Sequence, residues 1–511
     1  MTTPESTSDL RQPSLGAALA PVIVLVLALA LAFFLYGGDA TGGPIQVALI
    51  LCALLSGLIG MRHGMPAKAV GQGAVDSITT AVGAIFILLS VGALIGTWGM
   101  SGTIATLTYY GLQFITPDWF LIAAVLLCAG MALAIGSSWT VAGTFGVALV
   151  GIGTALGVPA GLAAGAVISG AYFGDKLSPL SETTNLAPAV AGTDLYSHIR
   201  AMMSTTIPSI LIALGIYLLL GITGDYAGEL DLSTATDAIA SVFTVGLVTL
   251  LPLVVVIVLA LRKASPIIAI MAASLTAGLV AVFWQPDVVK AFVDEPDLAT
   301  PLVMVKGVWS AMATGFVADT GIEGLDSLVS GGGMVSMLGT VFLILSALAF
   351  GGIMQATGQL GRLIRPLHQW ATSDRKIMTA AGGTAIGINL IAADQYMAIV
   401  LTGSMYKKEF EARRISPQTL SRQIEDTATV TSPLIPWNSC GAYMSATLGV
   451  ATIAYLPFAF FNWINPILSF IYAALGLRIG HVEDEADYET VPEKIEVYGI
   501  GQETEEIEKQ I

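Results

Sequence analysis

Residues 169–188 read Ser-Gly-Ala-Tyr-Phe-Gly-Asp-Lys-Leu-Ser-Pro-Leu-Ser-Glu-Thr-Thr-Asn-Leu-Ala-Pro, so Asp175, Lys176 and Glu182 stand among hydroxyl and amide side chains. Pro179 and Pro188 interrupt any helix there, yet long apolar segments flank the stretch on both sides. A second such stretch, Gln423-Ile-Glu-Asp-Thr-Ala-Thr-Val-Thr-Ser-Pro-Leu-Ile-Pro-Trp-Asn438, repeats the Ser-Pro-Leu turn after adjacent carboxylates and before an Asn. Charged, interrupted sequence between spanning segments is tolerated where it lines a cavity or lies inside protein. Hard oxygen donors suit a small cation. A carboxylate in low dielectric without a counter-charge tends to hold a proton. The two stretches are therefore expected to form a transport site at which H⁺ and Na⁺ compete.

Within the first stretch, Asp175 is the leading proton-linked carboxylate, with a simple ion pair to Lys176 as the alternative. Glu182 with Ser178, Thr183, Thr184 and Asn185 supplies further oxygens. Upstream, Gly136, Ser137, Ser138 and Gly143 interrupt an apolar run, as a helix break would. Hydroxyls bonded to carbonyls one turn back are the equally open reading of Ser137 and Ser138. His198 and Arg200 follow Asp194 and read as a cap at the membrane edge. In the second stretch, Asn389 and Asp394 interrupt another apolar run. Glu425 and Asp426 point about 100° apart on a helix, so one is expected to face the site and the other to pair with Arg422. Thr427, Ser432 and Asn438 add oxygens, and Trp437 reads as packing. Na⁺ held through Asp175, Glu182 and Asp394 is the expected metal contact; no bound cofactor is expected.

The elements that position these residues follow from composition. Of 511 residues 55% are hydrophobic and 11% charged, with mean hydropathy +0.79. Soluble domains carry about 25% charged residues, so the chain reads as an all-α polytopic membrane protein with the lipid bilayer as its surroundings. The net charge of −15 is concentrated at the end, where the segment from His481 to Ile511 holds eleven acidic residues against Lys494 and Lys509. That tail reads as a solvated, mobile segment, with a regulatory role as the alternative. Nothing resembles a basic nucleic-acid surface. Cys52, Cys128 and Cys440 lie in apolar runs without CxxC spacing, so neither a disulfide nor a thiolate metal site is expected. The run from Leu15 to Tyr36 is too long for a signal-peptide core and reads as a retained first span.

Spanning runs appear near 16–37, 44–61, 74–98, 119–136, 140–157, 194–221, 236–261, 264–284, 333–357, 377–393, 394–406 and 449–476, giving about 10–13 segments. The short runs at 140–157 and 394–406 read as halves of broken helices. Amphipathic pieces lie near 102–115, 302–318, 358–371 and 417–424. Basic residues mark the cytoplasmic side: Arg62 and Lys68, Arg262 and Lys263, Arg362 to Lys376, and Lys407 to Arg414. The acidic loop 285–300 reads as external.

An internal repeat sets direction. Residues 85–96 align without a gap on 341–352, with Phe86/Phe342, Leu89/Leu345, Ser90/Ser346, Gly96/Gly352 and Gly102/Gly358 identical. Asp76-Ser77 matches Asp326-Ser327 if six residues are inserted, and the two Ser-Pro-Leu turns fall at nearly the same spacing. The span at 74–98 leaves a basic loop, whereas that at 333–357 leads into one, so equivalent helices run oppositely. This is the inverted repeat of many secondary transporters, with the site between the copies. The expected organisation is N-terminal helices at 1–70, repeat one at 71–230, connecting helices at 231–320, repeat two at 321–478 and the tail at 479–511.

No HExxH, GxSxG, P-loop or Rossmann fingerprint is present, which argues against an enzyme and leaves an ion gradient as the driving force. Residues 170–194, 393–400, 425–438 and Tyr455-Leu-Pro-Phe-Ala-Phe-Phe-Asn462 together resemble the signature stretches of the NhaC family of Na⁺/H⁺ antiporters. The resemblance covers roughly residues 70–475. It implies a multi-pass plasma-membrane carrier of small cations, built of two scaffold and two transport subdomains, often dimeric. Two departures stand out: the Glu182 position is usually Asp in that family, and Ser137-Ser138-Trp139-Thr140-Val141 replaces a common Thr-Ser-Trp-Gly-Thr. One added methylene moves a ligand by about 1.5 Å. The expected function is Na⁺(Li⁺)/H⁺ antiport by alternating access; the alternative, also within the family, is a Na⁺- and H⁺-coupled organic-anion exchanger such as malate/lactate.

Overall fold

The computed structural model describes residues 12–226, 232–319, 326 and 329–482. Beyond two isolated bridges, the described residues are helices and the turns between them. Two apolar helices, α1 (Leu15–Tyr36) and α2 (Pro44–Arg62), come first. A first set follows: α3 (Ala67–Thr80), α4 (Val82–Met100), α5 (Thr103–Phe114), α6 (Pro117–Ile135), α7 (Ser138–Ala155), α8 (Ala160–Leu177), α9 (Glu182–Ala191) and α10 (Leu195–Thr223). Connecting helices α11 (Leu232–Val242), α12 (Leu251–Leu261), α13 (Pro266–Trp284), α14 (Pro286–Val293) and α15 (Thr300–Thr314) lead to a second set. That set is α16 (Leu338–Ala356), α17 (Gln359–Trp370), α18 (Asp374–Ala392), α19 (Gln395–Ala412), α20 (Pro417–Ile424), α21 (Ser439–Leu448) and α22 (Phe460–Leu475).

Eight helices are long and apolar enough to cross a membrane, and two pairs bent by 89° and 59° bring the number to 10. Among the described residues, α18 and α19 fall outside that test because their amides, hydroxyls and charged ends dilute the apolar run. Two expectations change. The run at 74–98 is two helices meeting at Ala81. The runs at 140–157 and 394–406 are not short: each belongs to an 18-residue helix beyond its break, Ser138–Ala155 with a π-turn at Ala142–Gly146, and Gln395–Ala412.

The repeat is written in the helix boundaries. From α4 to α16 and α5 to α17 the starts differ by 256 positions; α6 to α18, α7 to α19, α8 to α20 and α9 to α21 each differ by 257. The caps recur as well. The breaks after α6 and α18 both turn through left-handed backbone, at Gly136 (φ 77°) and Ala393 (φ 58°). Glycine takes that conformation freely, whereas alanine is strained there, so the packing around Ala393 must hold it. The Ser-Pro-Leu turns are three residues out of this register: Ser178 corresponds to Ile435, and Ser432 to Asp175. The proposed Asp76/Asp326 match falls partly outside the described residues, as does the tail beyond Val482.

Equivalent helices run antiparallel. Along α3 and α4, Gly73 lies against Gly352 and Ala356, while Gly92 lies against Gly333 and Met337. Sequence number thus rises along α4 as it falls along α16. The same holds for α10 and α22, where Tyr472 bonds the Ser204 carbonyl (3.3 Å), Asn465 meets Ser209 (3.3 Å) and Tyr217 bonds Phe458. An approximate two-fold axis therefore relates the two sets, and the broken helices meet along it.

Candidate functional site at two broken helices

At the first break α6 ends on Gly136 and Ser137 caps α7, its hydroxyl oxygen accepting the Thr140 N–H (3.2 Å) and hydroxyl (3.0 Å). The Ser138 N–H donates to Asp175 Oδ2 at 3.1 Å. A carboxylate from the last turn of α8 thus lies at the positive end of α7. At the second break Asp394 is itself the cap: Oδ1 accepts the Met397 N–H (2.9 Å) and Oδ2 accepts the Ser439 hydroxyl (3.3 Å). The roles are exchanged between copies. In repeat one a serine caps and the acid comes from the neighbouring helix. In repeat two the acid caps, and Ser432, the counterpart of Asp175, donates to Gln395 Oε1 (3.3 Å).

Between the breaks lies a buried charge cluster. Lys176 Nζ is 2.6 Å from Asp426 Oδ1, and neither side chain is exposed. The same oxygen accepts the Thr205 hydroxyl at 3.1 Å. Glu425, its neighbour on a π-turn at Glu425–Thr429, is fully buried, and neither carboxylate oxygen has a partner at hydrogen-bonding geometry. The Thr183 and Thr429 hydroxyls lie beside it, and the charges of Lys176 and Asp175 act on it. Insertions of this kind alter the direction of successive side chains and are frequent at functional positions. Here Asp426 is turned to Lys176, and Glu425 lies among Thr183 and Thr429 with Lys176 and Asp175 nearby. The Tyr172 phenol, one turn before Asp175, is buried beside Cys440 and Ser432 and bridges toward the Asp394 break. Trp139 and Tyr443 stack at 4.0 Å, and the Tyr443 hydroxyl donates to the Trp139 carbonyl, locking α7 to α21.

The structure brings Asp175, Ser138, Thr183, Glu425 and Asp426 into one cluster, and Asp394, Asn389, Asn438 and Ser432 into an adjoining one. Asn438 donates to the Asn389 side chain and carbonyl (3.3 and 3.2 Å), and Asn389 in turn donates to Thr431 (3.1 Å). Other expected donors are occupied locally. The Thr184 hydroxyl bonds the Asp175 and Lys176 carbonyls, and Thr427 bonds the Gln423 carbonyl. Ser178 Oγ accepts the Leu180 N–H, and the exposed Asn185 amide donates to Pro179 and Ser181 carbonyls. Glu182 is exposed and accepts the Tyr396 phenol at 2.6 Å, and its charge still acts on Asp175.

Two sequence expectations and one alternative are corrected. The alternative pairing of Lys176 with Asp175 is not formed: Lys176 pairs across the repeats with Asp426, adjacent helix residues pointing about 100° apart. Among the described residues Arg422 forms no ion pair with Glu425 or Asp426; it is 2% exposed, and its Nε and Nη2 have no partner there. His198 is buried and bonds Ser421 through Nδ1 (2.5 Å) instead of capping the membrane edge. Tyr172 was legible one turn from Asp175. Thr205, Ser439 and Tyr396 gave no local signal, since they reach the site from other helices.

A cavity of about 540 Å³ opens between α7 and α21, lined by Val147, Val150, Gly151, Ala442, Ser445 and Gly449 among others and free of charged side chains. The equivalents of Val150 and Gly449 are Lys407 and Gly192. There the space is filled: Lys407 Nζ approaches Gly192, and Val190 lies against Gly403. The two sides are thus unlike, one open and the basic one closed.

A family profile described as the Na⁺/H⁺ antiporter family matches residues 170–477. The chain is 36% identical to the Na⁺/H⁺ antiporter NhaC of Alkalihalophilus pseudofirmus over 442 residues, 86% of this chain and 92% of the relative. It is 35% identical to the arginine/ornithine antiporter ArcD of Halobacterium salinarum over 477 residues, covering 92% and 93%. It is 34% identical to the malate-2H⁺/Na⁺-lactate antiporter of Bacillus subtilis over 481 residues, covering 93% and 98%.

Proposed function

The chain belongs to the Na⁺/H⁺ antiporter family, and from that premise we propose that Asp175 and Glu425, one from each repeat, form the site at which Na⁺ and H⁺ alternate. The protein is a multi-pass cell-membrane transporter that exchanges Na⁺ for H⁺. The observation that carries the site assignment is the commitment of Lys176 to Asp426. That pair neutralises itself, and Asp175 and Glu425 are buried nearby with no basic side chain at bonding distance among the described residues. Ser138, Thr183 and Thr429 supply the hydroxyl oxygens around them.

Exchange follows from electrostatics. Two like charges close together in low dielectric repel strongly. Occupancy by Na⁺ or by a proton relieves that repulsion, and each occupant excludes the other. A carrier with both carboxylates bare would bury uncompensated charge on closing, which costs several kcal/mol per ion. Only the loaded forms cross between states, so an inward cation is matched by an outward one. The approximate two-fold axis supplies the second state: exchanging the two repeats' conformations closes the α7–α21 cavity and opens the basic side. Asp394 holds the second break and is proposed as a further proton-linked group. No cofactor beyond the transported ions is part of this reading.

Reconstituted vesicles loaded with acid should lose their pH gradient when Na⁺ alone is added. If proton movement requires malate, lactate or another carboxylate, the inorganic reading is wrong. One observation favours that second reading: Arg422 keeps two buried N–H groups without partners, as an anion site would. Under it, Arg422→Gln removes carboxylate dependence; under the first, Na⁺-driven proton movement survives that change.

A further inference from the structure

The end of the described chain is held against the basic side of the molecule. The Val482 N–H donates to the Arg414 carbonyl and the Ser416 N–H to the Gly480 carbonyl, both at 2.9 Å. The His481 ring nitrogen lies 3.1 Å from Asp374, which also faces Arg413 at 3.7 Å. Arg375 lies against Gly476. These contacts fix Val482 among Arg375, Arg414 and Arg478, all exposed and, among the described residues, outside any ion pair. Lys407, which lies beside Gly192, and its neighbour Lys408 stand in the last two turns of α19, the helix that leads directly to Arg414.

Directly after this anchor come residues 483–511, with eleven acidic side chains and two lysines. Attachment at Val482 gives the acidic groups a high effective concentration at the basic groups. At about 3.3 Å per residue, its first ten residues already reach across the face. Binding of tethered opposite charges is intramolecular and needs little intrinsic affinity. It weakens as the Debye length shrinks from about 20 Å at low salt to a few Å.

We propose that the acidic segment 483–511 docks on the basic face formed by Arg375, Lys407, Lys408, Arg414 and Arg478. The interaction is electrostatic and therefore governed by ionic strength. The docking stands independently of which ion is carried.

The test is zero-length carbodiimide coupling of the full chain in neutral-lipid nanodiscs, with linked peptides mapped by mass spectrometry. At about 20 mM KCl, amide links should join the acidic segment to Lys407 or Lys408, falling about fivefold at about 500 mM KCl. Arg375→Glu, Arg414→Glu and Arg478→Glu combined should lower them comparably. If that variant does not fold, Arg375→Gln, Arg414→Gln and Arg478→Gln combined, which keep both coupling partners in place, should lower the links in the same direction. Four outcomes overturn the proposal: links directed to Lys263, Lys290 or Lys306 instead; links insensitive to salt; links found only between heavy- and light-isotope chains; or links lost when anionic lipid replaces neutral lipid, which would assign the face to the membrane.

Discussion

Lys176 and Asp426 stand 250 positions apart in the chain, one in each repeat, and their charged ends meet at 2.6 Å with no solvent exposure. The pair joins the two broken-helix assemblies at their centre. It also decides which carboxylates remain for a transported cation. Four expectations follow from it and from the site around it.

Asp175→Asn and Glu425→Gln should each reduce Na⁺-dependent proton movement to below about one-hundredth of the wild-type rate, equivalent to about 2.7 kcal/mol. Both substitutions keep side-chain volume, so the purified variants should elute as folded protein. Vesicle pH fluorimetry after a Na⁺ pulse reads the effect; full activity in either variant removes that residue from the site.

Breaking the buried pair from one side leaves an uncompensated charge. Lys176→Met alone and Asp426→Leu alone should each destabilise by about 3–5 kcal/mol, whereas the double substitution should recover most of that loss. Thermal unfolding in detergent measures all three. Additive losses would show that the pair is not coupled.

Glu182→Gln should change exchange little, within about threefold in apparent Na⁺ affinity, about 0.7 kcal/mol, because Glu182 is exposed and bonded to Tyr396 rather than facing Glu425. Tyr396→Phe should behave alike. Loss of transport on the scale of Asp175→Asn would return Glu182 to the centre of the site.

Ser445→Cys lines the open cavity and should react with a membrane-impermeant thiol reagent added from outside. Val190→Cys, packed against Gly403 on the closed side, should not react from outside in either state, and should react with reagent sealed inside only when transport reorients the carrier. The native Cys52, Cys128 and Cys440 are all buried, so background labelling is low. Reaction of Val190→Cys and protection of Ser445→Cys would reverse the assignment of open and closed sides.

The local record of this protein was legible in its residues. Apolar runs and the breaks at Gly136–Ser138 and Asn389–Asp394 are short-range patterns, and the repeat of about 256 positions is read by laying two such patterns over one another. They follow from 3.6-residue periodicity and from the backbone's need for partners at helix ends. The antiparallel sense of the copies was also readable, from where the basic residues fall. Only the tertiary structure decided which side chains meet. Two neighbouring acids, Glu425 and Asp426, look equivalent in sequence. A π-turn and the packing of α8 against the second repeat leave Glu425 among Thr183 and Thr429 and send Asp426 to Lys176. Glu182, which reads as a ligand beside Asp175, starts a separate helix and faces Tyr396 instead. Such pairings depend on how two helix sets close around a common axis, a non-local packing result that the spacing of residues along the chain does not encode.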